Sequence, residues 1–174
     1  MPTIPPLALA DLRAYPRIAI IGCPGAGKST LARRIAAETG HPLIHLDYEN
    51  WQPGWLPIPK EEWRAKQLEW VNGERWIIDG NYQATLELRY AAADLVIFLD
   101  IPRAVCLWSI LRREGRPRAD LRPGVEAPGI FSKSFLSMLG FVWLYNKKSR
   151  PKVTALRAQY PGTAFWRIRS RGEF

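Results

Sequence analysis

Apolar residues in this chain fall in short unbroken runs rather than in alternation. Ile18–Ile21 is the first, and a run with no polar interruption reads as a parallel strand covered on both faces. After a glycine-rich turn, Leu31, Ile35 and Ala36 recur at helical spacing with Arg33, Arg34 and Glu38 turned outward, until Gly40 and Pro42 stop the helix. "PLIHLD", "WIID" and "LVIFLD" repeat the strand pattern and end at Asp47, Asp79 and Asp100, and "AFWRIRS", Ala164–Ser170, is a fifth strand candidate. Helical material separates them. The pattern predicts one α/β domain spanning 1–174, built on a parallel sheet with right-handed crossovers.

Two segments do not fit that alternation. Residues 48–73 carry four tryptophans, a proline-rich turn and then a helix on which Trp63 and Trp70 share a face, and they read as a substrate-side insertion. Residues 112–130, "RREGRPRADLRPGVEAPGI", are basic, rich in Gly and Pro and poor in apolar periodicity, and they read as a mobile lid. A 12-residue apolar stretch, Phe135 to Asn146, is too short to span a bilayer and predicts a helix that faces the core or a partner. The N-terminal residues have no basic start and carry three early prolines, so they make a poor secretion signal and read as a short leader packed on the domain.

Charge narrows the partners. Lys and Arg number 25 against 16 Asp and Glu, a net +9, which favours anionic ligands, either phosphorylated small molecules or nucleic acid. Two cysteines, Cys23 and Cys106, have no metal-type spacing, and a reducing cytoplasmic setting is expected. No helix-turn-helix, zinc finger or paired aromatic RNA-binding motif occurs, so nucleic acid is the less favoured partner.

The turn after the first strand carries the chemistry. "GCPGAGKS" satisfies G-x-x-x-x-G-K-[ST], with Gly22, Gly25, Ala26, Gly27, Lys28, Ser29 and Thr30 forming a phosphate loop between strand and helix. Glycines let successive backbone N–H groups turn toward phosphate oxygens, and the helix adds its positive dipole end. Lys28 is expected at the β- and γ-phosphates of ATP, Ser29 on Mg²⁺ and Thr30 at the α-phosphate.

Ligands of open parallel sheets collect beyond the carboxyl ends of the strands, where Asp47, Asp79 and Asp100 all fall. Asp79 is expected to hold Mg²⁺ through water, with Asp100 competing for that role. Asp47, before the tryptophan-rich insertion, is placed to act as base toward a hydroxyl acceptor. Arg112, Arg113, Arg116, Arg118 and Arg122 supply the charge that phosphoryl transfer needs. His41 and His45 show no ligand or catalytic spacing. Trp51 and its neighbours offer rings for stacking on a base or sugar, or for packing.

"HLDYENWQPGW", "EEW", "WIIDGNY", "LELRYAAADLVIFLDIPR" and "KKSRPKV", in that order, resemble the bacterial topology modulation protein family, which is adenylate-kinase-like. The resemblance runs from about Arg17 to Ser170 and implies a three-layer fold of the nucleoside monophosphate kinase type. That type has a five-stranded parallel sheet, an acceptor insertion and a lid. It also implies an ATP- and Mg²⁺-dependent phosphotransferase, with Gly80 and Asn81 near the acceptor. The arginine that such kinases use to grip an acceptor phosphate aligns with Gln83 here, which leaves Arg89 as its substitute. The preferred acceptor is therefore a nucleoside monophosphate or similar phosphorylated compound held by Arg89 and the lid, and the alternative is a hydroxyl compound deprotonated by Asp47. A rival from another class is a nucleotide-switched protein that binds DNA.

Overall fold

The computed structural model describes residues 9–113, 121–125, 129 and 131–173. In chain order the elements are β1 (Arg17–Gly22), α1 (Lys28–Thr39), β2 (Leu43–His45), α2 (Leu46–Asn50), β3 (Trp51–Gln52), β4 (Leu56–Pro57), α3 (Lys60–Val71), β5 (Trp76–Asp79), α4 (Leu86–Ala92), β6 (Leu95–Leu99), α5 (Arg103–Arg113), α6 (Lys133–Lys148), α7 (Arg150–Gln159) and β7 (Ala164–Ile168). Five strands pair in parallel in the order β2-β5-β1-β6-β7. The strand most covered by neighbours, β1, is the first apolar run, and Ile18, Ile20 and Ile21 are fully buried. Burial of each such side chain contributes about 2 kcal/mol, which is why uninterrupted aliphatic strands end up inside and set the sheet.

Register fixes what lies at the carboxyl edge. Ile20 pairs with Asp79, Asp79 with His45, and Gly22 with Leu99, so the phosphate loop, the end of β5 and the end of β2 share one rim. The second strand stops earlier than its apolar pattern suggests. Leu46 is fully buried and packs on Gly80, where a Cβ would lie 2.7 Å from the leucine side chain. That packing turns the chain into α2 and places Asp47 in the first turn of a short helix, not at a strand end.

The insertion has its own order. β3 and β4 form an antiparallel hairpin, α3 follows, and Trp63 and Val71 bury the inner face of that helix. Leu12 of an N-terminal 3-10 turn is fully buried and Arg13 bonds the Glu38 carbonyl at 2.6 Å, so this part of the leader does pack on the domain. No helix among the described residues is long and apolar enough to cross a membrane.

Candidate active site

The phosphate loop is shaped by contacts that exclude side chains. Gly25 has φ 79, in the left-handed region, and a Cβ there would meet the Cys106 carbonyl oxygen of α5 at 2.4 Å. The loop is thus pressed against α5, with the Ala26 N–H donating to the Cys23 carbonyl at 3.1 Å. Gly27 caps α1, so the first turn of the helix begins at Lys28 and its N–H groups face the loop's concave side. Ser29 is half-buried and Thr30 exposed on that turn. Lys28 folds back and donates from Nζ to the Cys23 carbonyl at 3.2 Å, a contact that phosphate oxygens would replace. Cys23 itself is buried; the Cys106 thiol against it and its own burial push its thiol well up, which argues against a reactive thiolate.

Sequence reasoning missed Arg171. It lies past β7 and donates to the Gly25 carbonyl and to Ser109 Oγ, so a cation from the C-terminal end rests on the loop's outer side. No motif marks it, because the contact spans 146 positions.

Asp79 and Asp100, at the ends of β5 and β6, fare differently. Asp79 is 4 % exposed; its Oδ2 pairs with His45 Nδ1 at 3.0 Å, and its buried Oδ1 has no hydrogen-bond partner among the described residues. A buried carboxylate oxygen left without a donor, beside the strand that leads into the phosphate loop, fits a divalent cation. No group of three or more His, Cys, Asp or Glu suited to a metal occurs among the described residues. Mg²⁺ takes one or two protein oxygens and fills the rest of its sphere with water and phosphate. Ser29 and Asp79 would be its protein anchors. Asp100 is committed elsewhere. Its Oδ2 accepts from Arg150 at 2.7 Å and from Arg167 Nε at 2.8 Å, so two guanidinium groups already balance its charge.

The acceptor side is built around the segment after β5. Arg89 is fully buried and donates to the carbonyls of Gly80 at 2.7 Å and Tyr82 at 3.0 Å, with a longer bond to Asn81 at 3.4 Å. Burial pushes its guanidinium down to about 10, still charged near neutral pH. Arg89 in this arrangement is a clamp on backbone, not a cation exposed to a phosphate. Arg89→Ala is therefore expected to cost about 3 kcal/mol, because it leaves carbonyls unpaired in the interior. Urea denaturation checks this. A raised acceptor KM with an unchanged denaturation midpoint would instead show a ligand-gripping role.

The clamped segment aims Tyr82 at Asp47, whose Oδ1 accepts from the phenol at 3.0 Å. Burial, and then the adjacent carboxylate, raise the Tyr82 pKa far above its usual range, so the phenol keeps its proton and stays a donor. Tyr82 also packs on Trp63, 4.8 Å between rings, while Trp51 stacks on Trp55 at 4.3 Å. Trp55 takes a left-handed φ of 58 to do so. Asn81 Oδ1 accepts from Gln83 at 3.0 Å and sits 3.4 Å from the Tyr145 hydroxyl.

The segment expected as a lid, 112–130, falls partly within the described residues. Arg112 and Arg113 form the last turn of α5 rather than a loop, because the apolar spacing that begins at Val105 continues to Leu111. Arg116 and Arg118 lie outside the described residues. Arg122 reaches across to the insertion, bonding Glu49 at 2.8 Å with its guanidinium 5.3 Å from the Tyr48 ring.

No protein-family model matches the chain, and no curated protein matches it by sequence. Solved structures do. Shikimate kinase from Acinetobacter baumannii, in complex with shikimate, superposes over 94 % of this chain and 88 % of its own, with a TM-score of 0.59 at 17 % identity. The fold is that of a small P-loop kinase. Shikimate kinase from Bacteroides thetaiotaomicron covers 92 % of each chain with a TM-score of 0.58 at 18 % identity. At this identity the likeness speaks for the architecture, and the resemblance to the topology modulation family has no support from any family match.

Proposed function

We propose that the protein is an ATP- and Mg²⁺-dependent kinase that transfers the γ-phosphoryl group to a hydroxyl of a small acceptor. The observation that carries this reading is the pairing of Asp47 with Tyr82 on the phosphate-loop rim while Arg89, the expected phosphate grip, is turned inward onto carbonyls. A monophosphate is already a nucleophile and needs cations around it; an alcohol needs a carboxylate to take its proton. The rim supplies the carboxylate. That structural neighbours include a kinase crystallised with shikimate agrees with this choice without deciding it.

In this reading the phosphate-loop N–H groups and Lys28 hold the donor phosphates, and Lys28 follows the charge as it moves to the bridging oxygen. Ser29 directly and Asp79 through water would hold Mg²⁺, which would supply charge neutralisation at the donor phosphates. Tyr82 donates to Asp47 and so fixes the carboxylate's direction, and Asp47 accepts the acceptor's proton as the hydroxyl oxygen attacks. Arg112 and Arg113 add positive charge from the end of α5. Catalysis is then positioning plus electrostatics, with no covalent intermediate.

Acceptor-dependent ADP release under varied Mg²⁺ tests the metal assignment. Asp79→Asn is expected to raise the Mg²⁺ needed for half-maximal turnover by an order of magnitude or more, about what the loss of one anionic ligand produces. Asp100→Asn is expected to leave that requirement nearly unchanged and to lower the melting temperature instead, since Arg150 and Arg167 lose their shared carboxylate. The reverse order would move the metal role to Asp100.

A further inference from the structure

Charge is unevenly spread along this chain. Residues 1–100 hold ten Lys or Arg against twelve Asp or Glu, whereas 101–174 hold fifteen against four, so the positive excess lies wholly in the second segment. None of α5, α6 and α7 contains an acidic residue. In the same region the surface is unusually apolar. Trp108 is 65 % exposed and Leu111 50 % on α5, and Leu136 is 58 % and Trp143 56 % on α6.

These exposed apolar positions are regularly spaced on each helix. Ala104, Trp108 and Leu111 recur at i, i+4 and i+7, as do Leu136, Gly140 and Trp143, so each set is a stripe along its helix. The helices pack together, and the Arg103 guanidinium at the start of α5 lies 4.1 Å over the Trp143 ring of α6. Cations border the stripes: Arg103 lies at Trp143, and Lys147 and Lys148 stand exposed in the last turn of α6.

We propose that the α5/α6 face docks on an anionic phospholipid bilayer surface. Leucines and tryptophans on a broad two-helix face suit insertion at the headgroup boundary, where indole is favoured, and a basic border suits anionic headgroups. A second copy of this chain is a poor occupant, because two such faces would bring cations against cations with no carboxylate on either helix. Nucleic acid would use the cations and the indoles but leaves Leu111 and Leu136 with nothing to bury. The docking is peripheral and needs no spanning helix. On α5 the phosphate loop rests against the opposite side of the helix, through Gly25 and the Cys106 backbone.

Co-sedimentation of the full chain with vesicles, read together with tryptophan emission, tests this. Binding is expected with about 30 % phosphatidylglycerol in phosphatidylcholine and not with phosphatidylcholine alone, accompanied by a blue shift as the indoles leave water. Trp108→Ser with Trp143→Ser is expected to weaken binding about tenfold or more, and Lys147→Glu with Lys148→Glu to abolish it at physiological salt. Should the tryptophan pair fail to fold by circular dichroism, the lysine pair, at exposed positions, carries the test. No binding to anionic vesicles would overturn the proposal. So would binding that ignores both variant pairs, a dimer in solution that the tryptophan pair dissociates, or single-stranded DNA binding that depends on Trp108 and Trp143 and excludes vesicles.

Discussion

Lys28→Ala is expected to lower acceptor-dependent ADP release by about 10³-fold with little change in melting temperature. The side chain is half-buried and donates to the Cys23 carbonyl, a group of the loop itself, so its loss costs the fold little. Its effect falls instead on the transition state. Charge shifts from the γ-phosphoryl oxygens toward the β-γ bridge during transfer, and a flexible ammonium at that point stabilises the shifted charge more than the ground state. Steady-state kinetics alongside ATP titration separate the two: turnover should collapse while ATP affinity falls far less. Turnover near the wild-type value would contradict the phosphate-loop assignment.

Asp47→Asn is expected to reduce turnover of a hydroxyl acceptor by about 10²–10⁴-fold, the usual range for loss of a positioned general base, with acceptor KM changing little. Asparagine keeps the size and can still accept from Tyr82, so the geometry that the 3.0 Å bond sets survives while the basicity does not. The companion variant Tyr82→Phe separates positioning from base chemistry. It should lower turnover less than Asp47→Asn, because the carboxylate remains but is no longer held. A Tyr82→Phe loss as large as that of Asp47→Asn would make the phenol a reacting group.

Much of this was legible from the pattern of apolar runs. Uninterrupted aliphatic segments find a stable home in the interior of a parallel sheet, and all five strands lie where those runs lie, with ends shifted by no more than two residues. The phosphate loop was legible because its chemistry needs glycine at fixed offsets from lysine. The second strand's end was not, since the cause is Leu46 fitting against Gly80, a contact 34 positions away that no local pattern encodes. The same limit applies to the aspartates. Asp79 and Asp100 look alike in sequence, each closing an apolar run, and they are told apart only by what reaches them: His45 in one case, Arg150 and Arg167 in the other. Arg89 shows the limit most clearly. An arginine on a helix near the acceptor reads as a phosphate grip, but complete burial turns the guanidinium onto the carbonyls of Gly80 and Tyr82. The apolar stretch from Phe135 was expected to face the core or a partner, and α6 does the first with Phe135, Val142 and Tyr145 while leaving Leu136 and Trp143 outside.

The most direct test of the account is an ADP-release screen of the wild-type chain with ATP and Mg²⁺ across three acceptor classes: nucleoside monophosphates, nucleosides, and small polyols and hydroxy acids. The account predicts turnover with a hydroxyl acceptor, a product whose new phosphorus signal in ³¹P spectra is a phosphomonoester, and loss of that signal in Asp47→Asn. A phosphoanhydride product from a nucleoside monophosphate, formed equally well by Asp47→Asn, would contradict it.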